Sequence, residues 1–598
     1  MADVDIVIEI CGMAGDGVIS GGEILARCMS DQGFDIMSFD SYPAEIRGFG
    51  KCVAHSRIGN NAILSPGKFA DIPISLDDSH AIGQLSALRE TGVVIYDSQP
   101  RGYLEEDQSI AGWIEPGMTS YGVPLLQLAQ KAAGDSRGRN MVALGALAAL
   151  FGINPDAMIA TLQKRYAKKK QVVIDNNVNS FTEGHTWTKE NIIKTDRLTF
   201  GGVPTRKADK AIMSGNQAVV RAALDSVIHL YAGYPITPAT GILQDLARTL
   251  PLRGGVVVQT EDEISAIGHV VGACFAGKRA MTATSGPGLC LMSEFINYAS
   301  MAECPAVIVN SQRGGPSTGL PTKTEQSDLN IALFGASGDS PRFVIAPTTV
   351  GECYDLTCLA FYLAEKYQTP VILLLDFFLS RSLKNIDHPK VQNKKWLAAN
   401  VAPSKADLKD YKRYKITDSG ISPRALPGTP GAMHVVTGLE HDEKGTPAYD
   451  KKTHTAMTAK RYRKLEAVLA EAPRPEWFGD KEKVQVGVLA WGSTVGAARE
   501  AVIRARAAGI RAAAFKTVMM SPMFTDPIKE FVQACDVVLV PEGNFTGQFA
   551  NLLDGLITQQ FARLSQLVCA PMPAEDIFQT IMQLAEENQA AGGGQRAE

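Results

Sequence analysis

Val4-Asp-Ile-Val-Ile-Glu-Ile10 is a short apolar run, and Cys11-Gly12-Met-Ala-Gly15-Asp-Gly17 interrupts it with a glycine-rich loop. An amphipathic segment from Val18 to Met29 follows, and a second apolar run extends from Phe34 to Phe39. Strand, Gly loop, helix, strand is how a doubly wound α/β sheet begins. The glycines invite a nicotinamide reading, with Asp40 placed like a ribose-binding acid. However, Ser20 and Gly21 follow Gly17, so the third glycine of G-x-G-x-x-G is out of step. The loop reads instead as a general anion-facing turn at a helix start. Gly15-Asp-Gly17 does not open a diphosphate motif either, because the Asn pairs Asn60-Asn61 and Asn176-Asn177 lie far beyond that motif's spacing.

Outward from this stretch the same alternation recurs twice. The fold class expected is α/β, built from several doubly wound parallel-sheet domains. Residues 1–185 form the first, and the polar stretch 186–212 reads as a linker. Residues 213–384 form a second domain, in which strands Val256–Thr260, Ala280–Thr284, Ala306–Asn310 and Val371–Leu375 alternate with helices. The last of these is nearly all β-branched residues and Leu, as a parallel strand covered on both faces should be. Residues 385–478 are charged and rich in Pro and Gly, and read as an ordered excursion ending in a basic helix, Lys460–Ala472, with a solvated face. Residues 479–590 form a last α/β domain, and 591–598 a frayed tail.

At 598 residues the chain is too long for a single core. Hydrophobic residues at 45% and charged ones at 20% are ordinary for a globular protein. Fifty-nine Lys+Arg against 63 Asp+Glu leave a net charge of -4, which argues against a nucleic-acid binder. The acidic start is unlike a secretory signal, and no apolar run reaches membrane-spanning length, so a cytoplasmic protein is expected. None of the 10 cysteines forms a C-x-x-C pair, and no four are grouped as a metal or cluster site requires. No metal site is expected on this chain, and any redox cluster belongs to another one.

Three positions carry candidate chemistry, and each has a plainer structural reading. Thr260-x-x-Glu263 before an apolar helix is a capping box, which by itself explains Glu263. Thr237 precedes Pro238, a favoured first helical residue, so it reads as an N-cap, and a hydroxyl at a helix N-terminus also suits a carboxylate ligand. Arg313 opens the loop Gly314-Gly-Pro-Ser-Thr-Gly-Leu-Pro-Thr322 just beyond a strand's carboxyl end. Most loop arginines only add solubility, but a planar guanidinium there is placed to grip a carboxylate. Lys323 is a weaker candidate of the same kind.

Gly233-Tyr-Pro-Ile-Thr-Pro-Ala-Thr240, Glu261-Asp-Glu-Ile-Ser-Ala-Ile-Gly268 and Thr284-Ser-Gly-Pro-Gly288 occur in order. Together they resemble the pyrimidine-binding domain of the 2-oxoacid:ferredoxin oxidoreductases. Ser41-Tyr-Pro-Ala-Glu-Ile-Arg-Gly48 resembles that family's γ component, here fused at the N-terminus. Tyr411-Lys-Arg-Tyr-Lys, Ser422-Pro-Arg and Thr437-Gly-Leu-Glu-His-Asp-Glu443 resemble α subunits of the 2-oxoglutarate type. Pro541-Glu-Gly-Asn-Phe-Thr-Gly-Gln548 is similar to the transketolase carboxy-terminal domain that the family carries.

The resemblance implies coenzyme A-dependent, reversible oxidative decarboxylation of 2-oxoglutarate to succinyl-CoA and carbon dioxide, with electrons passing to ferredoxin. Thiamine diphosphate would be held by its pyrimidine side here. The diphosphate, its magnesium and a 4Fe–4S cluster would lie on a β subunit, in a dimer of αβ heterodimers. By position Glu263 would bind N1′ of the aminopyrimidine, and Thr237 and Arg313 the substrate carboxylate; Lys323 or a basic residue of the partner would take a distal carboxylate. The same chemistry on pyruvate or branched-chain 2-oxoacids, a non-oxidative transketolase-type reaction and a non-catalytic scaffold subunit are the alternatives.

Overall fold

Ala306–Gln312 and Pro370–Asp376 are buried along their whole length and pair in parallel from Ala306↔Pro370 to Gln312↔Asp376. Strands without a solvated face must be covered by helices on both sides, which sets the architecture of the middle of the chain. The protein is described by a computed structural model, which covers residues 4–42, 50–81, 83, 87–99, 110–115, 117–201, 209–397, 400–567 and 569–594.

Three sheets form two compact units. The first unit comprises Met1–Met213 with Ser382–His388, and the second Ser214–Arg381 with Pro389–Glu598. Strands of the first unit are β1 (Asp5–Met13), β2 (Asp35–Ser41), β3 (Lys51–Gly59), β4 (Ile72–Ser75), β5 (Val93–Asp97), β6 (Thr119–Val123) and β7 (Ala211–Ser214). The second sheet holds β8 (Leu230–Gly233), β9 (Val256–Gln259), β10 (Ala280–Thr284), β11 (Ala306–Gln312), β12 (Phe343–Ile345) and β13 (Pro370–Asp376). Strand β14 (Leu383–Ile386) returns to the first sheet. The third sheet is built from β15 (Glu476–Gly479), β16 (Val484–Trp491), β17 (Ala512–Thr517), β19 (Cys535–Glu542) and β20 (Ala562–Ser565), while β18 (Met519–Ser521) joins the second.

The first sheet runs β6-β5-β4-β1-β3-β2-β14-β7. Its β4–β6 side is parallel to β1, but β3 lies antiparallel between β1 and β2. Asp40 on β2 is therefore not on the strand beside the Gly loop, which removes the ribose-acid reading. The glycine loop is instead closed by Arg139, whose Nη2 donates to Asp16 Oδ1 at 2.6 Å.

Several sequence expectations change here. Residues 186–191 belong to the helix Gln171–Asn191, which packs on the helix Arg139–Phe151, and 211–214 are strand; the expected linker is thus structured at both ends. The domain expected to end at residue 384 gives up β14 to the first unit. Residues 43–48 of the γ-like motif and 595–598 of the tail lie outside the described residues, while 591–594 close the helix Ala574–Gly594.

The basic helix spans Lys451–Val468 and is not a solvated face: Lys460, Arg461 and Lys464 are buried. Lys460 and Lys464 each donate to a different oxygen of the buried Glu303, at 2.5 and 2.6 Å. Arg413 donates to the Glu303 carbonyl at 2.7 Å. Burial alone would raise the Glu303 carboxyl, but Lys460, Lys464 and Arg413 hold it far below the ordinary range. Burial also pushes Lys460 down to about 7, against the pull of Glu303. This cluster ties the excursion to the second domain.

Candidate active site

Strands β8, β9, β10, β11 and β13 are mutually parallel, so the loops after them gather at one sheet edge, where α/β proteins bind ligands. Glu263 is the first residue of the helix Glu263–Phe275, which follows β9. The cap is Asp262, whose carboxylate accepts from Ser265 N at 2.7 Å, and not Thr260 as the capping box had it. Glu263 is thereby released from capping, yet it is only 5% exposed. Burial raises its carboxyl above the ordinary glutamate range; its own backbone N–H and the Arg313 guanidinium oppose the rise, and Asp262 adds to it. A carboxyl buried in this way favours its protonated form more than an exposed glutamate does.

Against it lies Thr284-Ser-Gly-Pro-Gly288, where β10 passes into the helix Gly286–Met301. A Cβ at Gly288 would come within 2.6 Å of Glu263 Oε1 and 2.0 Å of Thr284 Oγ1, so only glycine leaves room for the Glu263 carboxylate.

Arg313 follows β11 and is 8% exposed. Its Nη1 donates to the carbonyl of Thr237 at 2.9 Å. Thr237 sits in a turn before the helix Thr240–Thr249, so it does not cap that helix as expected; Ala239 stands at the N-cap without a side-chain bond. The turn is pinned by Asn216, which donates to the Pro238 carbonyl at 2.9 Å. Thus Thr237, Glu263 and Arg313, widely spaced in sequence, converge. Lys323 lies at the base of the Arg313 loop, where its carbonyl accepts from Gly314 N at 3.0 Å.

Two residues of this edge carried no sequence signal. Asp328 accepts from Asn310 Nδ2 at 2.8 Å and faces Gly286, the first residue of the helix Gly286–Met301. Desolvation pushes its carboxyl up to about 6, with Asn310 and Arg313 opposing and Glu325 adding. Gln326 is 2% exposed and joins the Arg313 loop to the last domain. It donates to the Trp491 carbonyl at 3.0 Å, exchanges two bonds with Gly543, and its carbonyl accepts from Asn544 Nδ2 at 3.0 Å. Pro541–Gln548, by contrast, was visible as a motif: Glu542 accepts from Phe549 N and Ala550 N, and Gln548 bonds Ser327 O and Asn330 N.

Buried polar atoms without a partner include three at this edge: Ser285 Oγ, Asn310 Oδ1 and Arg313 Nε. A folded chain rarely leaves such groups unpaired, and their presence beside a glycine cradle fits a polar ligand held here.

Residues 7–187 match the family described as "Pyruvate ferredoxin/flavodoxin oxidoreductase", and residues 221–460 match "Pyruvate flavodoxin/ferredoxin oxidoreductase, thiamine diP-bdg". The chain is 30% identical to the 2-oxoglutarate oxidoreductase subunit KorA of Mycobacterium tuberculosis, over 92% of this chain and 87% of that one. The chain belongs to the 2-oxoacid:ferredoxin oxidoreductase family. A 2-oxoacid:ferredoxin oxidoreductase α subunit of Aeropyrum pernix is 29% identical over 92% of this chain and 93% of its own. Among solved structures, the 2-oxoglutarate:ferredoxin oxidoreductase from Magnetococcus marinus, with 2-oxoglutarate, coenzyme A and succinyl-CoA bound, superposes with a TM-score of 0.91 at 36% identity. That match covers 97% of this chain and 99% of the other. This oxidoreductase chain is therefore of the α type with a γ-type domain fused in front, and its middle domain is the family's thiamine diphosphate-binding domain. No helix among the described residues is long and apolar enough to cross a membrane.

Proposed function

We propose that this chain is the γ-fused α subunit of a thiamine diphosphate-dependent 2-oxoglutarate:ferredoxin oxidoreductase. It would convert 2-oxoglutarate and coenzyme A reversibly to succinyl-CoA and carbon dioxide, with ferredoxin taking the electrons one at a time. The observation that carries this reading is the placing of Arg313 and Thr237 beside the buried Glu263. The bound 2-oxoglutarate and succinyl-CoA of the Magnetococcus marinus relative support the choice of substrate.

The residues present fit the cofactor. Glu263, with its raised carboxyl, would hold the pyrimidine ring at N1′ and move a proton there. Bound thiamine diphosphate supplies the nucleophilic carbon and the electron sink that loss of carbon dioxide requires. Arg313 binds and orients the carboxylate of the 2-oxoacid; Thr237 adds a hydroxyl contact and, through its carbonyl, fixes the guanidinium. Gly288 and Thr284 close the wall behind Glu263 and keep water from it. A β subunit bearing the diphosphate motif, magnesium and a 4Fe–4S cluster completes the site, in a dimer of αβ heterodimers.

Steady-state assays of the two-chain complex with coenzyme A and a viologen acceptor test the reading. Of a panel of 2-oxoglutarate, pyruvate and branched-chain 2-oxoacids, 2-oxoglutarate should give the highest kcat/KM. A preference for pyruvate would move the chain to another substrate class, and dye reduction independent of coenzyme A would reject the reaction.

A further inference from the structure

Gly268 and Gly272 of the helix Glu263–Phe275, Phe295 and Tyr298 of the helix Gly286–Met301, and His434 and Val436 of the excursion enclose a cavity of about 280 Å³. That volume is at the small end of ligand clefts, which pair apolar walls with a few placed polar groups. The glycines keep the floor bare. A Cβ on Gly272 would meet nothing within 4 Å, and the nearest atom to one on Gly268 belongs to the Phe295 ring, at 3.4 Å. Glycine inside a helix is disfavoured relative to alanine, so local stability does not explain Gly272. The Phe295 and Tyr298 rings meet edge to face, with centroids 6.4 Å apart, and make the wall aromatic.

Two guanidiniums line the same cavity. Arg413 is engaged: Nη1 donates to Gln368 Oε1 at 2.8 Å and Nη2 to the Glu303 carbonyl at 2.7 Å. Arg424 is 6% exposed and its Nε donates to Asn400 Oδ1 at 2.8 Å, but its Nη1 is buried with no partner among the described residues. The carboxylates nearby are already taken, Glu303 by Lys460 and Lys464 and Glu365 by Arg279. Burial pulls the Arg424 guanidinium below its ordinary range; Cys304 and Glu365 oppose this and Arg413 adds to it. A buried cation with an open donor calls for an anion, and its planar fork suits a carboxylate. The other cavity that Arg424 lines, beside Arg279 and Glu365, measures about 10 Å³, too small for an organic acid.

We propose that the larger cavity binds a small aryl carboxylate, its ring against Phe295, Tyr298 and the glycine floor and its carboxylate on Arg424. The site is separate from the catalytic edge, since Gly272 lies about 13 Å along the helix from Glu263 at 1.5 Å per residue. It does not depend on which 2-oxoacid the enzyme takes.

Calorimetric titration of 3-phenylpropionate into the two-chain holoenzyme, with thiamine diphosphate and 2-oxoglutarate present, tests the site, with the neutral 3-phenylpropanamide alongside. The acid should bind at one site per chain and about tenfold or more tightly than the amide, as a charge-assisted bond to Arg424 requires. Gly272→Leu puts its side chain into the bare floor and should weaken binding of the acid by about tenfold or more, while the melting temperature of the full chain holds. Arg424→Met keeps the stem and removes the fork, so the acid should then bind no better than the amide. Arg313→Lys should bind the acid as the native enzyme does. The comparison of acid and amide needs no variant and stands even where a substitution disturbs folding. Equal affinity of the native enzyme for both probes, or native affinity for the acid in Gly272→Leu, would overturn the proposal. So would loss of binding in Arg313→Lys, which would put the probe at the catalytic edge. Binding to the chain alone that vanishes in the holoenzyme would also overturn it, because the partner would then cover the cavity.

Discussion

Arg313 Nη1 and the backbone carbonyl of Thr237 lie 2.9 Å apart, joining two loops that follow different strands of one parallel sheet. The guanidinium is held by a group that no side-chain substitution at Thr237 removes, while Nε stays buried without a partner. Arg313→Lys keeps the charge and loses the fork. Loss of a charge-assisted contact of about 1.5–3 kcal/mol should lower kcat/KM for the 2-oxoacid roughly ten- to a hundredfold. Thr237→Val keeps the carbonyl and should cost only about 1 kcal/mol, the worth of a neutral hydroxyl contact. Binding of thiamine diphosphate, measured by titration calorimetry, should be unchanged in both. Unaltered kcat/KM in both variants would place the carboxylate site elsewhere.

The cap falls on Asp262 and the catalytic role proposed above on its neighbour Glu263, which makes the two separable. Glu263→Gln leaves the Asp262 cap intact, so the melting temperature should hold while turnover falls by orders of magnitude. Asp262→Ala should cost about 1 kcal/mol of stability and leave most of the turnover. Paired denaturation curves and rate measurements check both. Near-native turnover in Glu263→Gln would assign cofactor activation to another acid.

Asp328 should be visible in pH profiles. Its carboxyl keeps a proton up to about pH 6 when folded, whereas the ordinary value is 3.8. The folded state therefore binds more protons between those values and loses stability as the pH rises through them. Asp328→Asn should remove this loss, gaining on the native chain at pH 7 but not at pH 3.5. An acidic limb near pH 6 in kcat/KM should disappear in the same variant, because the charge beside Arg313 no longer switches. A limb that persists in Asp328→Asn belongs to another group.

The buried Glu303 cluster gives the largest stability effect expected. Glu303→Gln would leave Lys460 and Lys464 facing a neutral amide in the core. Breaking a buried pair in this way costs about 3–5 kcal/mol, measurable as a lower denaturant midpoint. A loss below about 1 kcal/mol would mean that water reaches the cluster once the carboxylate is gone.

What could be read from the sequence was what repeats along the chain. Apolar runs such as Val371–Leu375 announce doubly covered strands, and that run lies inside the fully buried β13, because periodicity is a local property. Thr237, Glu263 and Arg313 were within reach because each follows a strand, and parallel strands send their loops to one edge. Asp328 and Gln326 were not, since a polar residue in a loop looks the same whether water or a distant carbonyl completes it. Lys460 and Lys464 misled for the same reason: a basic helix looks solvated until its acid, Glu303, is found more than 150 residues away. Asp262 displaced Thr260 as cap because two neighbouring residues both suit the position, and only the backbone decides between them.

Gln326 also fixes when the site can exist during synthesis. Its partners Gly543 and Asn544 follow it by 217 and 218 residues. Arg313 emerges from the ribosome long before the loops that clamp its neighbourhood. A nascent or truncated chain ending short of Gly543 would carry Thr237, Glu263 and Arg313 and lack the clamp that ties the Arg313 loop to the last domain. The loop that bears Arg313 thus gains its tie to the last domain only after more than two hundred further residues have been made.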